Sequence, residues 1–247
     1  MDVTILKVEN GNFITLATSG DCHLGGEDID NMLVDRFFQV VEEKDGVDLR
    51  ENKKVRAKLK EQAKLCKELL SAPTCMEAQV YVDGLRGEIE IDYTLTLAEF
   101  EQICQPILKK IEQPLNEALE SAEIEATELE DVILIGGSTR IPVVQRMVKE
   151  YLKLKIEIIN KSYNPEEQVA RGAAVLGGMI ARGEDLKFQD VTSLAYGVES
   201  HENGVDVLDI VVPRNSPYSI SKSAIYRTFK KNQDRVRIKV LQGKTNG

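Results

Sequence analysis

Apolar and polar residues recur along the chain in patterns that predict both strands and helices. Asp2–Val8 and Phe13–Thr18 are rich in strand-forming residues, and Asn10-Gly11 between them predicts a tight hairpin. Two amphipathic helices follow. In the first, Glu27 or Asp28 is expected to be the cap, and the second is predicted over 52–70. Their apolar faces are Ile29, Leu33, Phe37 and Val40 in the first helix, and Val55, Leu59, Ala63, Cys66 and Leu70 in the second.

The middle of the chain predicts a second hairpin and a helix interrupted by proline. Met76–Val82 and Glu88–Thr94 are predicted strands, with a turn at Asp83-Gly84. In the helical stretch that follows, Pro106 and Pro114 are expected to bend or break the helix, because each removes a backbone donor.

A glycine-rich turn joins a predicted buried strand to a helix. Asp131–Ile135 is apolar without alternation, which is typical of a parallel strand covered on both faces. It is followed by residues 136–140 (GGSTR) and by a helix with Pro142 in its first turn. Asn164-Pro165 predicts the start of another helix. Its many small residues between 169 and 180 would let that helix lie close against a sheet.

The character of the chain changes after Gly183. Residues 184–190 are polar, which predicts a linker. The pattern of residues 191–247 predicts β-structure only. The expected strands are Ser193–Ser200, Val205–Val212, Ser223–Phe229 and Val236–Leu241. So few strands make a poor independent domain, and the first hairpin opens abruptly at Asp2, so we expect further sequence of the same protein on both sides.

Composition excludes several classes of function. The net charge is −9, Trp is absent and aromatic residues make up 5%, so neither an electrostatic nor a stacking surface for nucleic acid is expected. No apolar run approaches the ~18 residues of a membrane span. The four cysteines are scattered without a CxxC, which favours a reducing compartment, and we expect a cytoplasmic protein. Two histidines are too few for a His-rich metal site.

Two glycine motifs are the best candidates for binding chemistry. Glycines before a helix let backbone approach a ligand, and the helix N-terminus offers free N–H groups. In the segment 136–140, Ser138 and Thr139 add hydroxyls, and Arg140 adds a planar cation. The pattern alone leaves an ordinary strand-to-helix turn equally open, and Gly25-Gly26 is a weaker case of the same kind. No residue pattern predicts a catalytic group.

Three segments, in this order and at this spacing, resemble the Hsp70 chaperone family: HLGGEDID (23–30), ILIGGSTRIP (133–142) and NPEEQVARGAAVLGG (164–178). DVTSLAYGVES (190–200) resembles the start of that family's peptide-binding sandwich. The resemblance implies an α/β fold. It would be an actin-like ATPase lobe with a mixed sheet, flanking helices and an α+β insertion, followed by a linker and a truncated β-sandwich segment.

The resemblance also implies a domain organisation. Residues 1–24 and 105–183 would form the core subdomain of the second lobe, and residues 25–104 its outer α+β subdomain. Residues 184–190 would be the interdomain linker, and residues 191–247 part of the substrate-binding β domain.

By resemblance, one wall of an adenine nucleotide site is expected. Gly26 would lie near the phosphates, Arg140 would stack on the base, and Asp2 would help bind the metal ion. The remaining expected contacts are Lys64, Lys67, Glu68, Ser71, Gly137, Ser138, Thr139 and Glu166. The implied cofactor is ATP or ADP with Mg²⁺, bound weakly or not at all by this chain alone.

Several departures from the family pattern are expected to weaken nucleotide binding or docking of the linker. The family's first phosphate loop and catalytic lysine would precede Asp2. Lys64 and Glu68 stand where the family has an acidic and a basic residue, so their charges are exchanged. The stretch 186–190 (LKFQD) replaces a run of leucines, and each lost buried leucine would weaken linker docking by about 1.5–3 kcal/mol.

The function implied is that of part of an Hsp70-type chaperone. In such a protein, ATP binding and hydrolysis drive binding and release of unfolded polypeptides, and this chain alone is expected to lack ATPase activity. Expected partners are unfolded or hydrophobic peptide clients, J-domain co-chaperones and nucleotide-exchange factors, without nucleic acid or membrane. The alternative is a non-catalytic Hsp70-like regulator that binds exchange factors or co-chaperones. Another actin-like enzyme, such as a sugar kinase, is disfavoured by the β-strands after residue 190.

Overall fold

The computed structural model describes residues 1–153, 159–160, 164–184, 188–202, 205–228 and 231–243 of a mixed α/β protein. The chain forms two compact units. The first comprises Met1, Asp21–Pro114 and Glu125–Gly183, and the second comprises Asp2–Gly20, Leu115–Ile124 and Glu184–Gly247. This division differs from the domain organisation expected above, which stays a prediction.

Strands and helices are distributed along the whole chain. The strands are β1 (Asp2–Glu9), β2 (Asn12–Gly20), β3 (Glu77–Arg86), β4 (Ile89–Thr96), β5 (Val132–Ile133), β6 (Ile159–Asn160), β7 (Phe188–Gln189), β8 (Ala195–Glu202), β9 (Val205–Val212) and β10 (Val240–Gly243). The helices are α1 (Gly26–Asp45), α2 (Lys53–Leu70), α3 (Leu97–Ala122), α4 (Pro142–Tyr151) and α5 (Gln168–Ala181).

In the first unit, α1 and α2 pack against each other and against the β3–β4 hairpin. The five apolar positions predicted for α2 are all buried, which confirms its periodicity. In α1 the buried face is shifted slightly, because Val41 and not Val40 is buried. The N-cap residue of α1 is Gly25, so neither Glu27 nor Asp28 occupies that position. Asp28 nevertheless caps the helix start from the first turn, because its Oδ2 accepts from the Gly25 backbone N–H at 2.8 Å.

The middle of the chain differs from expectation in the position of the second hairpin's turn, and its proline-containing helix does not break. The turn of the second hairpin lies at Gly87-Glu88, and β3 continues through Asp83-Gly84 with an irregular register between Val82 and Arg86. This irregularity accommodates the extra residues of β3 without ending the strand. Pro106 and Pro114 both lie inside the continuous helix α3, so neither proline ends it, and the expected bend stays a prediction.

The segment predicted as a buried strand is short and half-exposed. Only β5 forms, paired in parallel with β6, and Ile133 and Ile135 are 52% and 47% exposed. Residues 154–158, which precede β6, lie outside the described residues. Helix α5 begins at Gln168, buries no residue, and offers open space beside Gly172 and Gly177. Burial of a parallel strand requires cover on both faces, and the described residues do not provide that cover here.

The second unit contains the predicted first hairpin. Strands β1 and β2 are antiparallel, and Asn10 and Gly11 have φ angles of 52° and 77° that close the turn. Strand β7, from the predicted linker, pairs in parallel with β2; linker residues 185–187 lie outside the described residues. Ser19 Oγ donates to Glu117 Oε2 at 2.7 Å, and Arg214 Nη2 donates to the Thr18 carbonyl at 2.7 Å.

The later strands agree only in part with the prediction. Strand β8 pairs antiparallel with both β9 and β10, so two of the four expected strands form close to their predicted bounds. Residues 223–228 form no strand, and residue 229 lies outside the described residues. The last expected strand is reduced to β10. In the described parts of the chain, every helix falls short, in length or apolar character, of what crossing a membrane requires.

Candidate functional site

Lys67, near the end of α2, ties that helix to the start of α1. Its Nζ atom lies 2.6 Å from Asp30 Oδ1, and it donates to the Gly26 carbonyl at 3.0 Å. Both side chains of the ion pair are largely buried, at 14% and 10% exposure. The contact is ionic: among the described residues Asp30 Oδ1 accepts no well-directed hydrogen bond. A buried carboxylate needs a charged partner, so Asp30 and Lys67 hold each other in place.

The glycine-rich turn after β5 brings Ser138 against the start of α1. Gly136 has a φ angle of 97°, which favours glycine, and its N–H donates to the Pro165 carbonyl at 2.8 Å. A Cβ atom placed on Gly26 would lie 2.5 Å from Ser138 Oγ and 3.3 Å from Lys67 Nζ. Gly26, Lys67 and Ser138 therefore meet at one point, and only glycine fits there without movement of Ser138.

Arg140 is held at the other end of the same turn. Its Nε donates to Glu166 Oε1 at 3.2 Å and its Nη2 to Asn164 Oδ1 at 2.8 Å. A Cβ atom on Gly137 would lie 3.4 Å from Glu166 Oε1, so the carboxylate spans the turn. The Arg140 side chain is 51% exposed, which leaves about half of its surface accessible. We call Gly26, Asp30, Lys67, Gly137, Ser138, Arg140 and Glu166 the loop cluster.

Four further predicted site residues lie outside the loop cluster as defined above. Ser71 follows α2, and its hydroxyl donates back to the Lys67 carbonyl at 2.6 Å. Thr139 donates its hydroxyl to the Gly136 carbonyl at 2.7 Å and so closes the turn. Lys64 and Glu68 form a solvent-exposed pair at 4.0 Å on α2.

Asp2 begins β1, in the second unit, so its predicted role beside the nucleotide stays a prediction. Among the described residues, no group of three or more His, Cys, Asp or Glu side chains is placed to hold a metal ion.

Sequence reasoning missed two members of this arrangement, Asp30 and Asn164. Asp30 carried a usable signal, because it lies on the same α1 face as the apolar residues Ile29 and Leu33. A carboxylate on a buried face requires a cationic partner. Asn164 was expected only as a helix cap; its side chain accepts from the Glu166 backbone N–H at 3.2 Å and also from Arg140.

The loop cluster reaches the surface at Arg140, whose side chain is 51% exposed. Two depressions stand out among the described residues, of about 460 and 520 Å³, and both lie elsewhere. The first is lined by Phe188–Asp190 and Pro217–Ser219, and the second by residues between Asp48 and Lys54 with Arg86. Neither contains the convergent polar groups of the loop cluster, so the geometry favours the cluster as the candidate site.

The three segments that form or flank this cluster are those that resemble the Hsp70 family. The family of Hsp70 proteins matches residues 1–247, the whole chain. This chain belongs to the Hsp70 family. One curated relative is the chaperone protein DnaK of Mycoplasmopsis pulmonis (strain UAB CTIP), with 39% identity over 98% of this chain. The chain spans 40% of the length of that relative.

Proposed function

We propose that this chain is part of an Hsp70-type chaperone and supplies the wall of its nucleotide site that contacts adenosine. In this proposal the chain contains one actin-like lobe, a linker and the first strands of a peptide-binding β-sandwich. The observation that carries it is the meeting of Gly26, Lys67 and Ser138 at one point, although they lie far apart in sequence. Membership of the Hsp70 family supports the same function.

Each residue of the wall has a chemical task in this proposal. Arg140, fixed at its edge by Glu166 and Asn164, can stack its planar guanidinium on a base. Lys67 and Ser71, one helical turn apart, can hydrogen-bond a ribose. Glycine at positions 26 and 137 lets Ser138 Oγ and Glu166 Oε1 approach the backbone, which a Cβ atom would hinder, and so holds the wall together. These groups fit a nucleoside; Mg²⁺ would arrive with the phosphates of the nucleotide.

Hydrolysis requires groups that these residues do not supply. Phosphoryl transfer depends on cations and a positioned water at the γ-phosphate. We therefore expect the chain alone not to hydrolyse ATP at a useful rate. Steady-state phosphate release should equal that of a Gly137→Val control. Release clearly above the control would overturn this part of the proposal.

A pair of arginine variants tests nucleotide binding itself. Arg140→Ala should weaken binding of ADP by about tenfold or more, because base stacking is worth about 1–3 kcal/mol. Arg146→Ala is the matched control, since Arg146 pairs with Glu101 at 2.7 Å away from the cluster. Isothermal calorimetry with ADP measures both variants. Equal affinity of the two variants would contradict the assignment of Arg140.

In the whole chaperone, clients would be unfolded or hydrophobic polypeptides, and J-domain co-chaperones and exchange factors would regulate it. A non-catalytic regulator is the second candidate, favoured by the exchanged charges of Lys64 and Glu68 on α2. Calorimetry with ADP and with a purified exchange factor separates the two. Heat with ADP supports the nucleotide-binding lobe, whereas heat with the exchange factor alone supports the regulator. A cytoplasmic location remains the expectation for either.

A further inference from the structure

Two of the seven cations on α2 have no partner among the described residues, and both lie in its first turn. Of the other five, Lys58 donates to two backbone carbonyls, and four pair with carboxylates of α1 or α2. Lys53 and Lys54 remain, and both are exposed. The first turn of α2 holds no acidic residue to offset them. On a chain with a net charge of −9, this unpaired positive charge marks a candidate anion site.

The two lysines line a depression of about 520 Å³ together with Arg86. Arg86 is the last residue of β3, it is exposed, and it has no ion pair among the described residues. Helix α2 and strand β3 therefore place three cations around one space. Because Lys and Arg side chains are long and flexible, their charged ends can turn toward a ligand bound there.

The acidic residues of the same lining offset only part of this charge. Asp48 already pairs with Arg50 at 3.1 Å, and its Oδ1 accepts from the Arg50 backbone N–H at 2.9 Å. Glu51 is the other lining carboxylate, and it has no ion pair among the described residues. Three cations against one unpaired carboxylate leave the depression with an excess of positive charge.

This positive charge belongs to side chains and not to the backbone of the helix end. Asn52, the N-cap of α2, accepts from the backbone N–H groups of Lys54 and Val55 at 3.1 and 3.3 Å. These N–H groups are therefore occupied, and a ligand in the depression would be held by the lysine and arginine side chains.

We propose that this depression binds a small anion made of three or more linked phosphate groups. Hydrogen bonds from ammonium and guanidinium groups to phosphate are charge-assisted and strong. Three cations on two elements can engage successive groups of one such chain, whereas a single phosphate offers them less charge to share. The depression lies at the opposite end of α2 from Lys67, about 20 Å along the helix, and shares no residue with the loop cluster. Anion binding here therefore does not rest on the proposed function.

Isothermal calorimetry with inorganic tripolyphosphate tests the proposal on the intact chain. Tripolyphosphate should bind at least about tenfold more tightly than orthophosphate, because it presents more charge to the three cations. Its affinity should fall as salt is raised from about 20 mM to about 300 mM, because salt screens exposed charges. Equal affinity for the two anions, or no binding of tripolyphosphate at the lower salt concentration, would overturn the proposal.

A pair of double variants locates the charge that matters. Lys53→Gln with Arg86→Gln removes two of the three cations and should weaken tripolyphosphate binding about tenfold or more. Lys109→Gln with Lys110→Gln is the matched control: it removes two exposed cations from α3, outside the depression, and should change the affinity less than about twofold. An equal loss in both double variants would mean that the anion responds only to net charge, which would contradict the proposal.

Amide chemical shifts separate this depression from the loop cluster. Tripolyphosphate should shift the amide resonances of Lys53, Lys54 and Arg86 and leave those of Gly137 and Ser138 unchanged. ADP, at the concentration that saturates the loop cluster, should do the opposite, because it presents only two phosphate groups to the three cations. Tripolyphosphate shifts confined to Gly137 and Ser138 would show that the anion takes the nucleotide wall, and would overturn the proposal while leaving the proposed function intact.

Discussion

Replacing Lys67 with methionine tests whether the buried ion pair holds α1 and α2 together. Methionine keeps the length of the side chain and removes the charge, so Asp30 is left as a buried carboxylate without its cation. The two side chains are only 14% and 10% exposed, and their charged atoms lie 2.6 Å apart. Breaking a buried pair on one side costs about 3–5 kcal/mol, and the slight exposure places the expected loss near about 3 kcal/mol.

Urea denaturation followed by circular dichroism measures that loss. With an m-value of about 2 kcal/mol/M, the midpoint should fall by about 1.5 M urea. The double variant Asp30→Asn with Lys67→Met should recover most of the stability, because no isolated charge is then buried. Lys60→Met is the matched control: its partner is Glu27, the side chains are 41% and 73% exposed, and its loss should stay within about 1 kcal/mol.

The reasoning would be refuted if Lys67→Met and Lys60→Met lowered the free energy of unfolding by the same amount. It would also fail if the losses in free energy of unfolding of Asp30→Asn and Lys67→Met, each measured singly, simply added in the double variant. Additivity would mean that the two charges do not interact.

Three further substitutions follow from the packing. Burial raises the pKa of the Cys66 thiol from 9.0 to about 11, so this thiol stabilises the fold below about pH 9 and that contribution is lost as pH rises through about 11. The free energy of unfolding should therefore fall less between about pH 8 and about pH 10 in Cys66→Ala than in the unchanged chain, as urea denaturation at the two pH values measures. Gly197→Ala would drive a Cβ into the Asp209 carbonyl of the paired strand and should cost about 1–3 kcal/mol in the same assay. Pro106→Ala restores a backbone donor inside α3 and should raise the melting temperature; a lower value would show that the helix depends on its proline.

Periodicity predicted the buried face of a helix where the apolar residues of that helix alone define it. In α2 the apolar residues recur at helical spacing, and the buried face is the one predicted. The burial of β5 could not be read in this way, because Ile133 and Ile135 become buried only if other segments cover them. The second hairpin shows a related difficulty: Gly84 and Gly87 both have positive φ angles, and their local sequence does not tell a bulge from a turn.

The candidate site was predictable as a set of residues but not as a set of contacts. The glycines and Arg140 were identified from their motif, whereas the partners that neutralise the cations come from elsewhere in the chain. Asp30 is separated from Lys67 by most of α1 and α2, and Asn164 and Glu166 reach Arg140 across a segment that includes α4. The charge balance of the site therefore emerged only from the structure.

Amide chemical-shift mapping by NMR during an ADP titration tests the central claim most directly. The account predicts that the amide resonances of Gly26, Gly137 and Ser138 shift together and saturate at one ligand concentration, while those of the β3–β4 hairpin stay unchanged. Shifts confined to the depression at Phe188 and Tyr218, with the three loop amides unmoved at saturation, would contradict the account.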